Sequence, residues 1–347
     1  MNINIESTWA LWIFSYITER QFSVRIKGNY SQYKTMSSGV PQGSNLGPLL
    51  FLLYINDLPT YIQNASLLIL ADDCKVYHTI NNPSDRFALQ TDINNFAIWS
   101  HKNHLPLQIN KCQVVHFHRK KEPLLYSYVL AGKKLKEVQS IKDLGITFNF
   151  DLNFSKHIEL TPNKAMQKLG WIKRTTRSFS DTEVIKILFN TYVKPTLTFS
   201  SSIWSPYFGS DTKNLESVNH VFLRYISWKG SAPMSYRDHD YHNISTSESI
   251  YTIISTHKYF DSIYAFKIAR NILPSNEIIS LFTPVSENLN TRSKRAVHTP
   301  FKHYNYSYNS AILRLRRMWN SLLKNVLESE SIVEFMRHSR KLNLKFY

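Results

Sequence analysis

The chain has 347 residues, 43% of them apolar, with 20 Tyr, 20 Phe and 7 Trp, which suits two or three cored domains and excludes wholesale disorder. Its 42 basic and 25 acidic side chains leave a net charge of +17 that is unevenly spread: residues 1–118 carry 8 and 7, residues 119–177 carry 13 and 5. A dense basic belt behind a nearly neutral front points to a polyanion partner for the middle of the chain, beside the plainer reading of a solvated lysine-rich surface.

In chain order, the spacing of Trp9, Trp12, Ile13 and Tyr16 predicts a helix over 9–19. Phe22, Val24 and Ile26 alternate with polar residues as a strand, which Gly28-Asn29 turns. After the Gly/Pro-rich stretch 38–48 comes an apolar helix over about 48–57, with Pro48 tolerated in its first turn. Residues 67–71 read as a short, fully buried strand, Asp72-Asp73 as its interruption, and 75–80 as a returning strand. An amphipathic helix is expected over 84–102 on Phe87, Phe96 and Trp99, then strands near 105–109 and 112–117, and short strands from 126 to about 150.

Beyond 150 the chain turns helical. Thr161-Pro162 reads as an N-cap opening a basic helix that runs to Arg177. Ser180 and Glu183 suit a capping box for a helix ending before Pro195. Asp211 starts a helix striped by Leu215, Val218, Phe222 and Ile226 that ends at Gly230. Helical patterns over 247–272 and 308–326 complete the set. The fold class expected is α+β in front with a mostly helical module behind.

Two cysteines, Cys74 and Cys112, make no disulfide framework and suit a reducing compartment, cytoplasm or nucleus. Cys112, His116 and His118 lack a fourth ligand, so no zinc site is read there. No apolar run approaches the ~18 residues of a bilayer span, and the N-terminus has no basic n-region or cleavage site, so neither membrane nor secretion is expected.

Two segments carry chemistry. The loop from Ser38 to Pro48 has three glycines that let backbone approach a ligand, and a helix N-terminus that favours phosphate follows it. A tight structural turn explains the glycines equally well. Leu70-Ala71-Asp72-Asp73 delivers two adjacent carboxylates to the end of a strand, either as an acidic hairpin turn or as a Mg²⁺ site. Mg²⁺ takes one or two carboxylates and leaves its other positions to water and substrate phosphates.

In order and spacing, Ser38-Gly39-Val40-Pro41-Gln42-Gly43-Ser44, Gly47-Pro48-Leu49-Leu50-Phe51-Leu52-Leu53-Tyr54-Ile55-Asn56-Asp57-Leu58 and Ala71-Asp72-Asp73 resemble the palm of a reverse transcriptase from a jockey-like, non-LTR retrotransposon. The first two stretches resemble that family's motif B and the third its motif C. Trp99 with Asn110-Lys111-Cys112 resembles the end of motif D. Ile141-Lys142-Asp143-Leu144-Gly145-Ile146 and Asn153-Phe154-Ser155-Lys156-His157-Ile158 resemble the primer grip, motif E. Ile203-Trp204-Ser205-Pro206 and Arg316-Arg317-Met318-Trp319-Asn320 resemble the tail behind the thumb.

The resemblance implies a partial palm over 1–125, primer-grip strands over 126–160, a helical thumb over 161–272 and a basic C-terminal extension over 273–347. It implies Asp72 as metal ligand with Asp73 its partner, two Mg²⁺ in the intact family, Gln42 and Gly43 against the incoming nucleotide and template base, and Lys111 near the triphosphate. Lys111 also reads simply as a surface lysine. Partners would be an RNA template, a DNA primer or RNA–DNA hybrid, and deoxynucleotide triphosphates. The basic belt at Lys133, Lys134, Lys164, Lys168, Arg174 and Arg177 would lie along the primer–template backbone. Leu70 stands where the family usually has an aromatic residue. The aspartate of motif A has no counterpart, since only Glu6 and Glu19 precede Ser38 as acids, and the expectation is that the chain begins after that motif. A second reading is therefore a truncated, inactive remnant that only binds nucleic acid through its thumb.

Overall fold

The computed structural model describes residues 6–230, 241–273, 275–282, 297–300 and 305–343, in two compact units that divide between Gln139 and Ser140. Residues 274, 283–296, 301–304 and 344–347 of the expected C-terminal extension lie outside the described residues.

The first unit opens with helix α1 (Ser7–Ile17), two residues earlier than expected. The expected strand at 22–26 breaks into short pieces: β1 (Gln21–Phe22), β2 (Arg25–Ile26), β3 (Asn29–Tyr30) and β4 (Lys34–Thr35) nest one hairpin inside another, β1 with β4 and β2 with β3. Helix α2 (Leu46–Ile55) leads to the hairpin of β5 (Ser66–Leu70) and β6 (Asp73–Tyr77). The expectation of a fully buried strand fails here. Leu67 and Ile69 face inward, but Leu68 and Leu70 are 54% and 55% exposed, because a sheet of two strands has only one covered face.

Helix α3 (Pro83–Lys102) buries Leu89 and Trp99, while Phe87 points outward rather than joining the stripe. Asn82 and Asp85 form a reciprocal capping box at its start. No strand forms at 105–109, and 112–117 shrinks to β7 (Gln113–Val114). Next come β8 (Val129–Leu130), β9 (Lys133–Lys134) and β10 (Lys136–Glu137), with β8 antiparallel to β9 and β7 parallel to β10. Every sheet among the described residues has two strands.

The second unit starts with the hairpin of β11 (Ser140–Asp143) and β12 (Ile146–Asn149). Helix α4 (Ser155–Thr175) begins six residues before the expected Thr161 cap. Asn153 Oδ1 accepts the Ser155 amide at 3.0 Å and caps it, while the Thr161 hydroxyl donates to the His157 carbonyl at 2.7 Å from inside the helix. Pro162 is accommodated as a buried interior residue.

The next expected capping box also differs. Asp181, not Ser180, accepts the Glu183 amide and opens α5 (Thr182–Leu188). The chain does not stop before Pro195. It widens into a π-turn over Phe189–Val193 and continues as α6 (Lys194–Thr198), whose first turn absorbs the proline's missing N–H.

Helices α7 (Ser201–Trp204) and α8 (Gly209–Lys229) follow, and α8 buries Leu215, Val218, Phe222 and Ile226 as the stripe predicts. Phe222 stacks on Phe189 with ring centroids 3.7 Å apart. After α9 (Tyr241–Ser247), helix α10 (Ile253–Ala269) and α11 (Asn276–Ser280) lead to α12 (Asn305–Tyr308), α13 (Ala311–Ser321), α14 (Lys324–Leu327) and α15 (Ile332–Asn343). Phe266, Trp319 and Phe335 centre a second core where α10, α13 and α15 meet. Among the described residues no helix is long and apolar enough to cross a membrane.

Candidate active site and nucleic-acid faces

The two adjacent carboxylates stand at the tip of the β5–β6 hairpin. The register pairs Leu70 with Asp73, leaving Ala71-Asp72 as the turn, and both aspartates are exposed. Ala71 has φ +51°, a left-handed conformation that costs an L residue roughly 1–2 kcal/mol. Below the tip, Leu67, Ile69 and Cys74 pack on Ile55, Leu58 and Trp99, and the Trp99 indole donates to Asp57 at 2.7 Å. Burial pushes the Cys74 thiol up, and the neighbouring Asp73 and Asp72 charges push it further.

A residue that sequence reasoning missed holds the approach to β5. Asp92 is fully buried on α3 and accepts the amides of Gln63, Asn64 and Ala65 at 3.1, 2.7 and 2.6 Å. Burial alone would raise its carboxyl, but these bonds, with a fourth from the Asn64 side chain, hold it below the usual range. The available signal was an acid lying on the inward side of an amphipathic helix.

Gln42 and Gly43 lie exposed in the loop before α2, where Gly43 has φ +80°, open to glycine and strained for other residues. The Ser44 hydroxyl donates to the Pro41 carbonyl at 2.7 Å and accepts the Gly47 amide at 3.0 Å, which stitches the loop to the helix start. A Cβ on Gly47 would come within 3.1–3.4 Å of Ser44, Pro41 and Val40, so the third glycine serves packing. Arg20 ties the other end through its guanidinium to the Gly39 carbonyl at 2.5 Å and the Ile17 carbonyl at 2.9 Å. Lys111 is exposed at the end of a 3-10 turn, Ile109–Lys111. Among the described residues, no hydrogen bond or ion pair joins Lys111, Gln42 or Gly43 to the aspartates.

The aspartate pair suits one Mg²⁺, which needs only one or two carboxylates, and its exposure leaves room for water and phosphate. It does not make a two-ion site. Among the described residues no group of three or more candidate ligands gathers, and Glu6 and Glu19 both lie outside the hairpin.

The basic residues fall in both units. Lys133 and Lys134 are exposed on β9. Lys164 and Lys168 are exposed on α4, flanking the buried stripe of Ala165, Leu169 and Ile172, where the helical pattern puts them beside it. They line a pocket of about 300 Å³ with His157, Thr161, Thr196 and Phe199, and Lys168 donates to the Thr196 hydroxyl at 2.7 Å. Burial pushes His157 down to about 4, helped by the Lys164 charge. Arg174 is exposed nearer the helix end. Arg177 lies two residues beyond α4 and lines a different pocket with Lys173. At about 100° per residue, Lys173 stands half a turn around the helix from Lys164.

Residues 1–148 match the family described as reverse transcriptase (RNA-dependent DNA polymerase). The chain is 27% identical over 284 residues to a probable RNA-directed DNA polymerase from transposon BS of Drosophila melanogaster, a match covering 76% of this chain and 30% of that protein. It is 31% identical over 156 residues to the RNA-directed DNA polymerase from mobile element jockey of the same species, covering 43% of this chain and 17% of the relative. A probable polymerase from the Drosophila melanogaster X-element is 25% identical over 223 residues, covering 61% of this chain and 24% of the relative. No solved structure matches the chain. Over residues 1–148 the chain is thus similar to reverse transcriptases. The chain is homologous to the polymerases of jockey and other non-LTR retrotransposons, and the matches do not favour a remnant that only binds nucleic acid. It spans about a third or less of the length of these relatives.

Proposed function

We propose that this chain supplies the catalytic hairpin and nucleic-acid-holding parts of an RNA-directed DNA polymerase that extends a DNA primer on an RNA template from deoxynucleotide triphosphates. The observation that carries this reading is the Asp72-Asp73 pair at a strained hairpin tip inside the stretch similar to reverse transcriptases. Residues 1–125 act as palm, 126–160 as primer grip, 161–272 as thumb and 273–347 as C-terminal extension.

In the reaction the primer 3′-hydroxyl attacks the α-phosphorus, its proton leaves, and pyrophosphate departs with the electron pair of the broken P–O bond. Asp72 and Asp73 would hold Mg²⁺, which when bound would supply charge neutralisation at the transferring phosphate. The exposed loop at Gln42 and Gly43 faces the nucleotide and template base, and Lys111 offers a proton to the departing pyrophosphate. Lys133, Lys134, Lys164, Lys168 and Arg174 hold the primer–template by its phosphates. A second ion needs a carboxylate beyond this pair.

Manganese, observed by electron paramagnetic resonance with a deoxynucleotide present, tests the assignment. One weak site is expected, lost in Asp72→Asn; a site that survives replacement of both aspartates by Asn defeats it. By itself the 347-residue chain is expected to extend no primer on RNA. Template-dependent incorporation abolished by Asp72→Ala would show that another residue supplies the bridging carboxylate.

A further inference from the structure

Near the end of α4 lies a second basic surface that the polymerase reading does not use. Lys173, in the last turn of α4, and Arg177, two residues beyond it, stand on one side, and Arg224 and Trp228 one turn apart on α8 face them across a pocket of about 410 Å³. Val221 and Tyr225 also line the pocket. Tyr225 is held in place: it is buried, and its hydroxyl shares a 2.8 Å hydrogen bond with the Thr176 hydroxyl. The Lys173 ammonium stands 5.4 Å from the centre of that ring.

Lys229 has a different role. Its ammonium donates to the Arg177 and Phe179 carbonyls at 2.5 and 2.9 Å, which ties the end of α8 to the chain leaving α4 and fixes the pocket's shape. Lys173, Arg177 and Arg224 have no acidic partner within ion-pair distance among the described residues. Beside these three cations the Trp228 indole is 63% exposed. Tyr225 flanks that ring at 6.1 Å between centroids and the Lys229 ammonium stands 5.3 Å from its centre, which orients the indole while leaving much of it open to solvent.

We infer that this pocket binds a single-stranded stretch of nucleic acid, with one base stacked on Trp228 and the flanking phosphates held by Lys173, Arg177 and Arg224. Base–aromatic stacking needs a base whose face is free, which a single strand offers and an intact duplex covers. The cations read phosphate alone, so the site accepts any base, and three of them predict a log–log salt slope of about −2 on a single strand. The inference needs neither Asp72 nor any catalytic step.

The test measures fluorescence anisotropy of the full chain with 5′-labelled single-stranded dodecamers of RNA and of DNA, a blunt duplex, and labelled inorganic polyphosphate. Trp228→Ala should weaken both single strands roughly ten-fold and leave duplex and polyphosphate unchanged, while Trp228→Phe retains most of the affinity. Lys173→Gln with Arg224→Gln should shallow the single-strand slope by about 1.4 units. The same affinities measured in EDTA should equal those in magnesium, which separates failure of this site from failure of the metal site. A preference for RNA or for DNA names the ligand and upholds the site. Trp228→Ala binding single strands undiminished, or losing polyphosphate equally, overturns the inference. Trp228→Phe failing along with Trp228→Ala, at unchanged helix content by circular dichroism, does so too.

Discussion

Residues 6–139 leave Trp9, Trp12, Leu49, Leu52, Leu68 and Leu70 exposed, whereas residues 140–343 bury a continuous cluster that runs from Ile146 through Phe189 and Phe222 to Ile253. The contrast follows from element length. Paired strands of two to five residues bury one face at most, and their outer edges stay unpaired among the described residues. Two helices of 21 residues each, α4 and α8, present stripes long enough to cover one another. The aspartates that carry the chemistry therefore sit on the thinly packed unit, and the packing mass sits in the unit without them. A hairpin tip with few buried contacts opens locally without global unfolding, and bound metal and nucleotide would add order to it.

Hydrogen exchange measures this difference most directly. Amides in the middle of α4 and α8 should exchange roughly a hundred-fold or more slowly than those of residues 66–77. Hairpin amides as protected as the helix interiors would break the comparison.

Mutation sharpens it next. Phe222 is fully buried against Phe189, so Phe222→Ala should cost about 3–5 kcal/mol, read as a lower urea midpoint of the helical signal. Leu68→Ala, on the exposed face of β5, should change it by less than about 0.5 kcal/mol. Similar losses at both positions would mean that the hairpin's outer face is covered.

Acid should weaken the second unit selectively. Burial lowers His157 and His257 to about 4, with the Lys164 charge adding to the first, and the Arg314 charge adding to the second against the opposing Leu197 carbonyl. The His257 Nε2–H donates to that carbonyl at 2.8 Å, and its Nδ1 accepts from the Ser205 hydroxyl at 3.0 Å, which fixes the neutral tautomer. Between pH 6.5 and 4 the unfolded chain binds these protons and the folded chain does not, so stability falls as pH falls through that window. The loss is on the order of 3 kcal/mol for each histidine once both states are protonated. A midpoint flat from pH 7 to 4 in His157→Gln and native chain alike would remove His157 from this account.

Much of this layout was legible in the sequence, for identifiable reasons. The stripe Leu215, Val218, Phe222, Ile226 held because a long amphipathic helix repeats its signal several times. The hairpin tip held at Asp72, with the turn one residue earlier at Ala71-Asp72 and Asp73 paired in β6, because the two acids break an apolar run. The start of α4 was misplaced because Thr161-Pro162 satisfies local capping chemistry, whereas the working cap is an Asp151–Asn153 turn whose side chains bond one another. The exposed face of β5 was not visible, because an apolar run does not report how many strands will pair beside it. Nor was the division of the basic residues into two faces, since a charge count carries no direction around a helix.

That division supports the prediction of smallest effect on stability. Lys164 and Lys168 are exposed on α4, and the neutral Thr196 hydroxyl is the hydrogen-bond partner of the Lys168 ammonium, so neither charge is neutralised locally. Replacing Lys164, Lys168 and Arg174 by Gln should leave the urea midpoint within about 0.5 kcal/mol, because Gln forms helix comparably and no buried group loses a partner. On a duplex, three phosphates neutralised by these residues contribute about −2.7 to the slope, and the triple variant should shallow it by about 2–3 units. Arg177 lines the other pocket, so single-strand binding that depends on Trp228 should survive the same substitutions. An unchanged duplex slope would take Lys164 and Lys168 out of the interface and leave them as a solvated face. Loss of both binding modes together would mean that the two faces act as one.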